Sequence, residues 1–277
     1  LPFGGATFMH NLTREVLSIM KKFITLAFAL VFSTGLAFAQ DNNSDIDQVG
    51  DFSTATVSQV GSMLDATVYQ DGSSSQQRGN EAIVDQVGTS NEAYVQQLGE
   101  QNNANIEQAG SGNYAEIVGQ TGFANDASAL QDGDTENSSI YIDQQGDGNA
   151  AFYDSYADAE QYNQSGSTIE IFHTRVGIND PAGSRMDVVQ RDGANNYVKV
   201  DGFGNVLDVD VLQEGGDNNQ AFVDQDAPAL GQPGNLSATI TQLGSDNFAD
   251  VTQSGFGHTS DVMQNGNTNT ATVTQSN

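Results

Sequence analysis

Along most of the chain, small apolar and amide residues alternate with acidic and hydroxyl ones. In the stretch 80–86, Asn80, Ala82, Val84 and Gln86 share one parity, and Glu81 and Asp85 fall on the other. A period of two is the strand period, so one parity faces a core and the other faces water. Gly88 then closes the stretch, and the same pattern restarts at Asn91. Glycine beside Asp, Ser or Asn is turn chemistry.

Aligned on a glutamine with glycine two residues later, the chain resolves into about twenty such units. Gln occupies 17 of 20 anchor positions: Gln48, Gln59, Gln70, Gln86, Gln97, Gln108, Gln120, Gln131, Gln144, Gln164, Gln190, Gln213, Gln225, Gln242, Gln253, Gln264 and Gln275. Ser155, Arg175 and Asp201 fill the remaining anchors. Val or Ile stands two residues before the anchor in 15 units, Ala four before it in 11, and Gly two after it in 15. Asn stands six before the anchor in 10 units, among them Asn80, Asn91, Asn102, Asn125, Asn149, Asn195, Asn219, Asn247 and Asn269. The consensus is N-x-A-x-V-x-Q-x-G.

An eleven-residue strand and turn cannot bury its apolar face alone. Two units make a strand–turn–strand rung of about 22 residues, and rungs stack about 4.8 Å apart with like residues over like. The fold class is therefore all-β: a β-solenoid of about ten rungs, cross-β in character. Ala and Val fill a thin interior. Buried Gln and Asn are costly unless paired. In register, each side-chain amide donates to the next rung and accepts from the previous one, which makes these residues a structural ladder. Spacing stretches after Gln70, Arg175 and Gln225, and Pro181, Pro228 and Pro233 lie in the last two of these stretches. Proline cannot donate to a ladder, so it belongs in turns. The middle, roughly 150–205, is the least regular. His173 and Lys199 fall where the alignment wants apolar residues, so a register shift or bulge is expected there.

The repeat N-x-A-x-V-x-Q-x-G, paired into rungs behind an exported leader, resembles the curlin repeat over roughly residues 42–277. The resemblance implies a subunit of curli-type extracellular fibres, exported through an outer-membrane pore and polymerised on a nucleator subunit. It differs from the familiar enterobacterial pattern in having about twice as many units, with Asn-led strands more common than Ser-led ones. Its segment between leader and repeats is short. Near-consensus units at both ends, without capping repeats, give the expectation of head-to-tail filament contacts. Alternatives are a monomeric solenoid adhesin, or the nucleating subunit of such a fibre.

Residues 20–39 read as a secretory signal peptide. Lys21 and Lys22 precede the apolar run Phe23–Phe32, and Ala37-Phe38-Ala39 is a small-x-small cleavage pattern. Residues 1–19 read as an over-extended reading frame, and 40–277 as the repeat domain.

Charge excludes several partners. With 8 Lys+Arg against 36 Asp+Glu, the formal charge is -28. Such a chain is a poor binder of nucleic acid and of anionic membrane surfaces. The apolar run is shorter than the ~20 residues of a membrane span, so no membrane insertion is expected. The charge keeps an exported monomer soluble, and raised salt or lowered pH should quicken assembly. Cys is absent, so no disulfide or thiolate chemistry is available. No catalytic motif or cofactor motif is present, and an enzyme is not expected. Asp132, Asp134 and Asp147 could bind Ca²⁺ but read as solvated turn acids. Tyr69, Tyr94, Tyr114, Tyr141, Tyr153 and Tyr162 could form a binding stripe; packing on the sheet surface is the preferred reading.

Overall fold

The computed structural model describes residues 39–72, 79–123, 125–145, 155–174, 184–202, 207–226 and 236–277. The expected leader, residues 20–39, therefore lies outside the described residues except for Ala39. Among those described, no helix is long and apolar enough to cross a membrane. The chain divides at Gln40: a unit ending there, and a unit of residues 41–277 that carries the repeats.

The first unit contributes a two-residue strand, β1 (Ala39–Gln40). The second begins with β2 (Asn43–Gly50), β3 (Thr54–Ser62), β4 (Asp65–Gly72), β5 (Glu81–Thr89), β6 (Glu92–Glu100) and β7 (Asn103–Ser111). It continues with β8 (Tyr114–Phe123), β9 (Asn125–Asp132), β10 (Ser139–Gln145), β11 (Ser155–Ser165), β12 (Thr168–Thr174), β13 (Ser184–Ala194) and β14 (Tyr197–Gly202). The last strands are β15 (Leu207–Glu214), β16 (Gln220–Asp226), β17 (Leu236–Leu243), β18 (Phe248–Ser254), β19 (Thr259–Asn265) and β20 (Thr270–Ser276).

In residues 41–277 every strand pairs in parallel with the strand two along. One sheet runs β2-β4-β6 through to β20, and the other runs β3-β5-β7 through to β19. Alternate strands thus lie in opposite sheets, and two successive strands make one rung of a β-solenoid. The 19 strands give slightly fewer rungs than the expected ten. Like stands over like: Ala55 pairs with Ala82, Val57 with Val84, Gln59 with Gln86 and Gly61 with Gly88. Alternation delivers burial as the period requires, as in β5, where Ala82, Val84 and Gln86 are buried between exposed neighbours. The two inner faces form one continuous apolar core from Ala66 to Val262.

The glycine after each anchor has a steric cause. Gly61, Gly88 and Gly110 adopt φ of 141, 123 and 105°. A Cβ on any of them would lie 2.0 Å or less from a carbonyl oxygen in the next rung. Only glycine lets the backbone arcs stack at strand spacing while holding a left-handed φ.

The middle departs from the sequence alignment. Units anchored at Ser155 and Gln164 are one strand, β11, and the residue paired with Gln131 and Gln190 is Gln161. Gln164 therefore does not stand in the glutamine column; it is buried near the end of β11, opposite Gly193. In β12 the column position falls to His173 rather than Arg175, which lies outside the described residues; His173 pairs with Gln144 and Gly202. In β14 it falls to Gly202, not Asp201. That slip of one residue moves Lys199 to the outer face and puts Val198 and Val200 in the core. The Gln120 unit has a bulge between Ile117 and Gln120. Ile117 takes the core position, Gly119 adopts φ 66°, and Gln120 still reaches its column.

Candidate functional site: the amide ladders

The inward glutamines form two columns of hydrogen-bonded amides. In the odd-numbered sheet the column is unbroken through nine strands. Nε2 of each of Gln59, Gln86, Gln108, Gln131, Gln161, Gln190, Gln213 and Gln242 donates to Oε1 of the next glutamine, ending at Gln264, over 2.7–3.0 Å. The second Nε2 hydrogen crosses the core to a backbone carbonyl of the opposite sheet. Gln86 donates to Asp65 O (2.9 Å), Gln190 to Thr168 O (3.3 Å) and Gln242 to Gln220 O (2.9 Å). Each interior amide thus uses both its hydrogens and its oxygen, so its burial is compensated. The bonds run in one direction along the axis, which lets each polarise the next.

The even-numbered sheet has the same column in two pieces. Gln48, Gln70, Gln97, Gln120 and Gln144 are linked at 2.6–3.2 Å. Gln225, Gln253 and Gln275 are linked at 2.8 Å. Between them the column passes through His173 and Gly202. Gly202 offers no side chain to donate, and the buried Oε1 of Gln225 has no hydrogen-bond partner among the described residues.

The asparagines bond amide to amide at Asn125–Asn102 (3.1 Å) and Asn269–Asn247 (3.0 Å), and most of their other bonds go to the backbone. They brace the arcs where the chain turns between sheets, through backbone contacts more than amide-to-amide contacts. Oδ1 of Asn80 accepts from the backbone N–H of Asn102 (3.0 Å), and its Nδ2 donates to Gly99 O (3.0 Å). Oδ1 of Asn91 accepts from Asn113 N–H (3.0 Å), and Oδ1 of Asn102 from Asn125 N–H (3.1 Å). Oδ1 of Asn219 accepts from Asn247 N–H, and Oδ1 of Asn247 from Asn269 N–H. Oδ1 fits this role because a turn places the next rung's N–H one residue before its strand. Asn195 is not a brace. It is exposed in a left-handed turn at φ 54°, and its neighbour Asn196 takes the buried position, accepting from Asn219 N–H at 2.9 Å. Asn149 lies outside the described residues. Two braces that the alignment missed are Ser138 and Ser167, whose hydroxyls accept from the N–H of Ser167 and Asn196. Gln164, displaced from the column, accepts from the Ser167 hydroxyl (2.7 Å) and from Nδ2 of Asn196 (3.2 Å). The signal that could have placed these residues is the N-x-A pattern read backwards from each core Val or Ile, rather than forward from Gln.

Outward residues divide the two faces. On the even-numbered sheet one ring per strand points outward over eight successive strands, β4 to β18: Tyr69, Tyr94, Tyr114, Tyr141, Phe172, Tyr197, Phe222 and Phe248. Tyr162 points outward from the other sheet, and Tyr153 lies outside the described residues. Neighbouring rings approach at 5.5 Å (Tyr141–Phe172 and Tyr197–Phe222) and 5.6 Å (Phe222–Phe248). Tyr197 donates to Glu170 at 3.0 Å, and burial beside that carboxylate pushes its hydroxyl pKa up to about 12. On the odd-numbered sheet Asp158 pairs with Asp187, and Asp187 with Asp210, on three successive strands. Burial, then the neighbouring charge of Asp187, raises the pKa of both Asp158 and Asp210. Among the described residues no group of three or more His, Cys, Asp or Glu is arranged to hold a metal ion. Asp132, the last residue of β9, and Asp134, in the bend after it, are exposed; Asp147 lies outside the described residues.

The family comparison falls on this geometry. The curlin associated repeat matches residues 39–72, 78–110, 229–255 and 244–276. No curated protein matches the chain at a significant level. The matched stretches hold the most regular rungs, with their glutamine, asparagine and glycine columns in place. The repeat family and the solenoid are structural in kind rather than enzymatic. The chain thus carries curlin associated repeats in four matched stretches, set on a two-sheet solenoid.

Proposed function

We propose that this chain is a secreted structural subunit that polymerises end to end into curli-like extracellular fibres, of the kind that build a biofilm matrix and hold cells to surfaces. The observation that carries the reading is the likeness of the two end rungs. The first and last strands of the even-numbered sheet carry the same Val/Ile and Gln columns, so each end of residues 41–277 offers a surface that fits another copy of the chain. At β2 the column residue Ile46 is 43% exposed, whereas Val68 in the same column one rung inward is fully buried. At the other end Val273 is only partly buried, and Gln264 and Gln275 each have one amide hydrogen without an acceptor among the described residues. Stacking a second copy would bury these groups and extend both ladders, a heterologous contact that does not close. Seeding follows from the same register, because a formed rung is a template for the next.

The test is electron microscopy of purified residues 40–277 after removal of denaturant, with thioflavin fluorescence followed in time. Filaments with a ~4.8 Å axial repeat, and a lag phase abolished by seeds, are the expected outcome. A stable monomeric rod that neither seeds nor elongates would overturn it and favour a solenoid adhesin.

A further inference from the structure

The outer face of the even-numbered sheet is not the inert surface that a purely structural rung requires. It carries one aromatic ring on each of eight successive strands, set among Glu170, Asp201, Asp224 and Asp250. A groove of about 390 Å³ is lined by the rings of Phe222 and Phe248, by Asp201, Asp224 and Asp250, and by Lys199. The face has a cation of its own, and its position shows what the face accepts. The Lys199 ammonium lies 5.3 Å from the centroid of Phe172, on the strand next to Glu170 and Phe222. Ring faces attract ammonium groups, and nearby carboxylates reinforce the attraction.

We propose that this face binds a linear polysaccharide bearing free amino groups, such as an N-deacetylated glucosamine polymer, laid along the solenoid axis. Three features choose this partner. The rings recur on every strand of this sheet from β4 to β18, staggered among the outward positions, so they offer stacking surfaces to a repeating chain of pyranose rings. The surrounding carboxylates outnumber Lys199, so they suit ammonium groups over neutral or anionic substituents. A second copy of this chain is disfavoured, because the opposite face presents Asp126, Asp158, Asp187 and Asp210 and would meet acid with acid. The Asp224 carboxyl has a raised pKa, from burial first and then from Asp201 and Asp226, which together outweigh the lowering by Lys199.

The inference needs no polymerisation, so its test is made on the soluble chain and stands apart from fibre formation. The chain has 8 Tyr and no Trp, and five of the Tyr (Tyr69, Tyr94, Tyr114, Tyr141 and Tyr197) lie on this face, so a change in tyrosine fluorescence serves as the binding signal. The titrants are a fully deacetylated glucosamine polymer with its amines protonated, its N-acetylated counterpart, and an oligolysine of equal charge. The deacetylated polymer should bind at least roughly tenfold more tightly than either of the others. Phe222→Ala combined with Phe248→Ala should weaken it by roughly tenfold. Tyr156→Ala, on the opposite face, should leave it unchanged. Lys199→Gln, which frees the Phe172 ring, should tighten binding, a gain that damage to the fold would not produce. Equal binding of oligolysine would reduce the face to a plain polyanion and overturn the proposal. So would equal binding of the acetylated polymer, or a Lys199→Gln variant that binds no more tightly than the parent.

Discussion

The regular ends of the solenoid and its middle reach the same packed interior by different sequences. At the ends, Ala over Val in one sheet faces Ala over Val in the other: Ala82 and Val84 in β5, Ala93 and Val95 in β6. In the middle, β10 brings Ile140 and Ile142, and β9, which packs on it, brings Ala127 and Ala129. β11 repeats the small pair with Ala157 and Ala159, and β12 the large pair with Ile169 and Ile171. One sheet has grown where the other has shrunk. In these two rungs a large pair in one sheet faces a small pair in the other, which keeps the core filled although the residue at each column changes. The glutamine columns differ in the same way: the odd-numbered sheet keeps its ladder throughout, while the even-numbered sheet gives it up at His173 and Gly202.

The largest expected effect is Gln190→Leu, in the unbroken column. It strands the Nε2 of Gln161, the Oε1 of Gln213 and the carbonyl of Thr168, each of which Gln190 now satisfies. At about 1–3 kcal/mol for each buried group left unpaired, the loss should be at least ~3 kcal/mol. Gln48→Leu, on an exposed end strand, should cost less than about 1 kcal/mol. Denaturant melts of the two variants measure the contrast. Similar costs would mean that the ladder contributes no more than ordinary surface contacts.

Next comes the exchange of volumes. Ile142→Ala should cost about 2–4 kcal/mol through the cavity it leaves. Adding Ala129→Ile should recover at least about 1 kcal/mol of that, although Ala129→Ile alone overpacks the core. Additive losses in the double variant would show that the two sheets do not trade volume across a rung. Smaller again is Gly202→Gln. It supplies the donor that Gln225 Oε1 lacks and should stabilise by about 1 kcal/mol, raising Tm. A lowered Tm would mean that the gap is closed in some other way.

This contrast also explains what could be read from the sequence. The solenoid, the two-strand rung and the glutamine columns were legible wherever four columns repeat together, because a period-two pattern with glycine closure has one parallel, in-register solution. In the middle only the anchor remained visible, and a single anchor does not fix register. Gln164 is three residues from the true column position Gln161, and Asp201 is one from Gly202, so parity alone misplaced Lys199. The asparagine braces were visible as a column, but their partners were not. Whether an amide bonds to another amide or to a turn N–H depends on the path of the arc, which composition does not encode. The aromatic face was half hidden because three of its eight rings are Phe, and a search for Tyr alone mixed residues of both sheets.

The smallest effect is the response to acid, which sharpens the comparison of the two outer faces. On the odd-numbered sheet Asp126, Asp158, Asp210 and Glu160 all have raised pKa values, with burial the leading cause. Asp187 stands between Asp158 and Asp210, and its carboxylate accepts from Nε of Arg185 at 2.6 Å. Tyr156 donates to Asp158 at 2.6 Å and lowers that carboxyl's pKa only in part. A carboxyl whose folded pKa is raised binds its proton more tightly folded than unfolded. Stability therefore increases as pH falls through the raised values, and the gain is complete below the ordinary carboxylate value of 3.8. Between neutrality and that limit the fold should become more stable, the opposite of common acid denaturation. Salt should mimic part of the effect by screening the stacked charges. Asp158→Asn with Asp210→Asn should raise Tm at neutral pH and flatten its dependence on pH. Equal slopes in parent and variant would remove these carboxylates as the cause and leave the general net charge to account for the response.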